Sequence, residues 1–147
     1  MRKFYSLLVS MLIISLLASL NSNAQSIPTV KEVNDFINDS HLLITYREGE
    51  VIYGTYYFIE IHYCPSGKYG LYVKTVKQTV LGNEQQSNSQ EFGNWKVIEY
   101  NGSVGVYYQP FNSQERFIPV YKLSDGTLTT GEGVTIVKQG KAICTLE

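Results

Sequence analysis

Between residues 51 and 64 the chain alternates with period two. The odd positions Val51, Tyr53, Thr55, Tyr57, Ile59, Ile61 and Tyr63 form an almost unbroken apolar series, and the even positions carry Ile52, Gly54, Tyr56, Phe58, Glu60, His62 and Cys64. Successive side chains of a strand point to opposite faces, so this pattern predicts one long strand with a buried face and a mixed one. Gly54 marks a place for it to bend. Only one stretch of the remaining chain has a helical period. Val30, Val33, Phe36 and Ile37 share one face, Pro28 precedes them, and Thr29-Val30-Lys31-Glu32 has the order of a capping box. A short helix running to about Asn38 is expected.

Further strands are predicted at 42–46, 69–78, 95–100, 104–109, 116–123, 127–130, 134–138 and 142–146. Asn101-Gly102, Ser124-Asp125-Gly126 and Gln139-Gly140 supply the turns between neighbours, Asn-Gly being the strongest hairpin signal. No segment is a long enough helix for a parallel crossover, so the fold class is all-β and antiparallel. About eight strands in a meander describe an up-and-down barrel, with a two-sheet sandwich as the alternative. The barrel is preferred because closure hides the edges of strands this rich in aromatics. Pro119 lacks a ladder donor, so its strand is an edge or bulged, and an unclosed barrel would open there. The polar run 82–91 reads as a loop, either spacer or lid.

Upstream of the helix, Arg2 and Lys3 precede an apolar run at 7–20, and Ser22 and Ala24 offer small residues to a signal peptidase. That order is a signal peptide resembling bacterial leaders, cleaved after Ala24, which divides the chain into a leader (1–24), a segment with the short helix (25–41) and the β domain (42–147). A retained anchor is the alternative, disfavoured by the shortness of the apolar run. The product would be periplasmic or secreted, with no membrane span after cleavage.

Composition then narrows the partners. With 44% hydrophobic, 13% aromatic and 17% charged residues the chain can bury a core. Without Arg2 and Lys3 it carries 10 basic and 13 acidic residues, a net charge of −3 with no basic cluster. Nucleic acid is not an expected partner. In an oxidising compartment Cys64 and Cys144 would pair, stapling the chain's end to an early strand, and two buried free thiols are the other reading. Two distant cysteines with His41 and His62 make no zinc signature, so neither a metal nor a cofactor is expected.

No catalytic constellation emerges. Glu60 and His62 share a strand face but lack a third group, no Gly-x-Ser-x-Gly elbow is present, and the acids are scattered singly. The chain is therefore read as noncatalytic. Its most distinctive feature is tyrosine, 12 residues in all, each with a broad apolar face and one polar tip. Neighbours such as Tyr56-Tyr57 and Tyr107-Tyr108 must point to opposite faces, so some tyrosine surface stays available to a partner. Tyr56, Phe58, Tyr72, Trp95 and Tyr107 are the candidate ligand-binding residues. Strand propensity alone also accounts for them.

Gly93-Asn94-Trp95, followed by alternating Lys96-Val97-Ile98-Glu99-Tyr100, resembles the G-x-W-x-V strand of small lipocalin-like (calycin-like) barrels. In classical lipocalins that strand lies near the mature N-terminus, whereas here about seventy mature residues precede it. The resemblance implies a small antiparallel barrel binding a small apolar or amphipathic ligand, and transfers no binding residue. His62-Tyr63-Cys64-Pro65-Ser66-Gly67-Lys68-Tyr69 with Cys144 is similar in outline to secreted barrel inhibitors of C-type lysozyme. It departs from them in the place of its Ser-Gly pair and lacks their lysine-bearing second motif. That likeness implies a protein partner met by Pro65, Ser66, Gly67 and Lys68. A carbohydrate-binding surface of exposed tyrosines is a third expectation.

Overall fold

A computed structural model describes residues 25–50, 53–79, 82–131 and 134–145. The expected leader lies outside these residues, as do parts of the expected strands at 51–64 and 142–146. The helix α1 spans Val30–Ile37, and both halves of its capping box form: the Thr29 side chain accepts from the Glu32 amide, and Glu32 accepts from the Thr29 amide at 2.7 Å. Two orphan donors of the first turn are thereby satisfied. Among the described residues no helix is long and apolar enough to cross a membrane.

The rest is antiparallel sheet. Six strands follow one another as a meander: β1 (Ser40–Gly49), β2 (Gly54–Tyr63), β3 (Lys68–Gln78), β4 (Glu84–Tyr100), β5 (Ser103–Pro110) and β6 (Arg116–Pro119). A small ladder of β7 (Tyr121–Lys122) with β8 (Leu128–Thr129) intervenes, and β9 (Thr135–Gly140) then returns to the free side of β1. The sheet order is β6-β5-β4-β3-β2-β1-β9. The antiparallel expectation is met, but no closed barrel forms among the described residues, because β6 and β9 end the sheet without pairing. The opening falls at the strand that carries Pro119.

Three local expectations are corrected. Residues 84–91 are no loop but the first half of β4, paired with β3 from Gln78↔Glu84 to Leu71↔Glu91. Their polarity suits a ribbon wetted on both faces, and the turn is set by Gly82 at φ 76° with the Thr79 amide donating to the Asn83 carbonyl at 3.0 Å. The expected strand 116–123 breaks after Pro119, where the Val120 amide donates to the Val104 carbonyl and Tyr121–Lys122 leaves for the second sheet. Residues 142–145 form no strand, being held instead through Cys144. The Asn101-Gly102 turn is as expected, both residues at positive φ (50° and 75°) as a two-residue hairpin needs.

Alternation gives the sheet a concave apolar face and a convex mixed one. Leu42, Ile61, Val104, Val106 and Tyr63 from the strands join Val33 and Ile37 of α1 in the core. The helix packs on β1, β4 and β5, stopping one end of the concavity. Adjoining strands pass closest at Gly93 and Gly105, where an added Cβ would lie 2.3 Å and 2.2 Å from backbone oxygens of the neighbouring strand. Only glycine lets the strands approach so closely.

Candidate functional site

The concave face encloses a cavity of about 730 Å³, lined by α1, by β1 to β6, and by β8, β9 and their flanking residues. Register places the lining. Leu42 and Ile44 of β1 lie opposite Ile61 and Ile59 of β2, and Leu71 and Val73 of β3 continue the same rows. Val106 of β5 and Ile118 of β6 complete the far wall. Exposure rises from Leu42 and Ile61 toward Tyr46 and Ser89, so the cavity closes beneath α1 and opens toward the β1–β2 and β3–β4 turns.

One charged cluster interrupts the apolar wall. Glu91 faces inward opposite Leu71 and receives a two-pronged contact from Arg116, with Nη1 donating to Oε2 at 2.9 Å and Nη2 to Oε1 at 2.5 Å. Tyr69 donates its hydroxyl to Oε1 at 2.5 Å and Ser113 donates to Oε2 at 3.0 Å. Burial pushes the Glu91 carboxyl up, but the hydrogen bonds from Arg116 and Tyr69 outweigh it and hold the group below the usual carboxylate range. The guanidinium also lies 5.0 Å over the Tyr108 ring. Deeper still, the Tyr63 and Tyr108 hydroxyls bond each other. Burial raises both, Tyr108 to about 12, so each stays a neutral phenol. The charges of Glu91 and Arg116 in this wall compensate each other.

None of the five aromatic candidates lines the cavity. Tyr56, Phe58, Tyr72 and Tyr107 point to the convex face, where Arg47 covers Tyr56, Lys96 covers Tyr107, and Phe58 and Tyr72 border a shallow groove with Leu43 and Glu60. Trp95 is inward and buried, its ring edge-on to Tyr63 and its Nε1 donating to the Cys64 carbonyl at 3.1 Å. Pro65, Ser66, Gly67 and Lys68 form the β2–β3 turn. The Cys64 amide donates to the Lys68 carbonyl, the Gly67 amide to the Cys64 carbonyl, and the Trp95 amide to the Gly67 carbonyl. Cys64 is bonded to Cys144, which decides between disulfide and free thiols.

A second polar cluster sits on the convex face. His41 and His62 are directly paired across β1 and β2, their rings stacked with centroids 4.2 Å apart. Glu60, two residues along β2, brings Oε2 to 3.5 Å from His41 Nε2. That nitrogen is buried and has no hydrogen-bond partner among the described residues. His62 is 6% exposed and its Nδ1 accepts from the Ile143 amide at 3.2 Å. Burial first, then His41, lowers the His62 pKa, so the ring is held neutral. Sequence reading paired Glu60 with His62 but left out His41, and left Glu91, Arg116, Tyr69 and Tyr108 unconnected. No family model, no curated protein and no solved structure matches this chain.

Proposed function

We propose that the chain is an exported, noncatalytic binding domain that carries a small, uncharged apolar or amphipathic ligand inside its curved sheet. The observation that carries this reading is the cavity. Its volume of about 730 Å³ lies in the range of small-molecule sites, and its wall is mostly aliphatic. Glu91 already compensates the charge of Arg116 through a two-pronged contact, so a ligand carboxylate would have to compete with that partner, whereas a neutral head need not. The Cys64–Cys144 disulfide supports export, since such bonds persist in oxidising compartments. Mass spectrometry of the protein from its own host, native and then denatured, tests the reading. A bound mass of a few hundred daltons, lost on denaturation, is expected; a bare chain overturns the carrier role.

A second reading rests on the Pro65–Lys68 turn. Pro65 and Ser66 are exposed, yet the turn is fixed by a disulfide, by Gly67 at φ 81° and by Trp95. A loop already rigid before binding loses little entropy in a partner's cleft. Inhibition of C-type lysozyme at micromolar protein, abolished by Ser66→Trp, is the expected result for an inhibitor. Unchanged lysozyme kinetics sinks that form of it.

A further inference from the structure

We propose that His41, Glu60 and His62 form a binding site for a single zinc ion on the convex face, independent of the cavity. One ligand atom from each residue lies within 4.8 Å of the others, close enough to converge on one ion once the two imidazoles rotate out of their stack and turn their in-plane lone pairs toward it. Strand pairing fixes this arrangement, because His41 and His62 are opposed in register and Glu60 is on the same face two residues on. Two imidazoles and one carboxylate are a zinc ligand set that leaves a fourth position for water. Calcium and magnesium prefer all-oxygen shells. A cleft of about 290 Å³ bordered by Glu60, His62, Tyr72 and Thr145 gives that water room.

The independent observation is the unpaired nitrogen. His41 Nε2 is buried and has no hydrogen-bond partner among the described residues, Glu60 approaching it only to 3.5 Å. A buried polar atom without a partner calls for an occupant, and a cation between His41, His62 and Glu60 supplies one.

Ile143 gives the site a readout. In the ion-free protein the His62 Nδ1 lone pair accepts the Ile143 amide, so the ring proton sits on Nε2. Zinc must take one of the two nitrogens. At Nδ1 it replaces the amide outright; at Nε2 it drives the ring proton to Nδ1, which then faces another N–H. Either route frees the Ile143 amide, next to Cys144 in the C-terminal segment.

The test uses the untagged, disulfide-bonded chain, with zinc chloride titrated by calorimetry and by amide NMR. One equivalent should bind with a dissociation constant of about 1 μM or tighter, magnesium and calcium should give no comparable binding, and the Ile143 amide should shift and lose protection. His41→Gln, and separately Glu60→Gln, should each weaken zinc by more than about 100-fold, beyond the loss of an outer hydrogen-bonding partner. Absence of stoichiometric binding overturns the site. So does binding that survives both substitutions, or binding that leaves the Ile143 amide unmoved.

Discussion

The two faces of this sheet each hold a carboxylate beside nitrogen donors, and they treat it oppositely. On the concave face Glu91 is 24% exposed and accepts from Arg116, Tyr69 and Ser113, with every contact made through a hydroxyl or guanidinium donor. On the convex face Glu60 is 55% exposed, makes one loose approach to His41, and leaves His41 Nε2 without a hydrogen bond among the described residues. A carboxylate whose oxygens are all engaged has little left to offer a ligand and contributes stability. An unsaturated one costs stability when empty and gains it when filled. The same register logic thus yields a structural brace on one side and an open ligand set on the other.

The largest expected effect comes from the covalent tie beside the histidine pair. Cys144→Ser opens a loop of 80 residues, for which chain entropy predicts a loss of about 4 kcal/mol in urea unfolding. It should also release the Ile143 amide from His62, visible as lost protection in hydrogen exchange. Protection unchanged at Ile143 would mean that the imidazole alone holds the tail. Next comes the brace. Arg116→Ala strands a partly buried carboxylate, and since both partners retain some solvent, a loss of about 2 kcal/mol is expected, less than the 3–5 of a fully buried pair. A loss under about 0.5 kcal/mol would reduce the cluster to an ordinary surface pair.

Acid should separate the faces further. Glu91 has a folded pKa below its unfolded value near 4.3, so the unfolded chain binds the proton more readily. Its contribution is complete above that unfolded value and drains as pH falls through the folded one. The wild type should therefore lose stability relative to Glu91→Gln as pH falls from about 5 through the carboxylate range. A constant gap over that window, measured by urea midpoints, contradicts the assignment.

The sequence made these elements legible unevenly. The capping box at Thr29 and Glu32 and the Asn101-Gly102 turn were readable because each is a local rule with a local partner. Pro119 marked the end of the sheet, since a missing donor matters wherever a ladder would continue. Residues 84–91 look irregular in sequence because they are polar throughout, whereas a ribbon that extends beyond the core is polar on both faces. The clusters were hidden for another reason. Glu91 meets Arg116 only after three strands are placed, and His41 meets His62 only once the β1–β2 register is known, which Leu42↔Ile61 and Ile44↔Ile59 enforce by burying both apolar rows together. Aromatic content likewise said how many tyrosines sit on strands, and the pleat decided that Tyr56, Tyr72 and Tyr107 face out.

The smallest expected effect discriminates best between the two faces. His41→Gln removes a ring whose Nε2 has no partner, so the lost packing against His62 is offset by relief of an unsatisfied group. The amide can donate to Glu60 or turn to solvent. Unfolding without added metal should move by less than about 0.5 kcal/mol, as for a surface substitution, in contrast to Arg116→Ala. With zinc at a hundred times its dissociation constant the wild type should gain about 2.7 kcal/mol, and the variant almost none. If His41→Gln costs as much as Arg116→Ala in metal-free buffer, the histidine pair is itself a brace, and the contrast between the faces collapses.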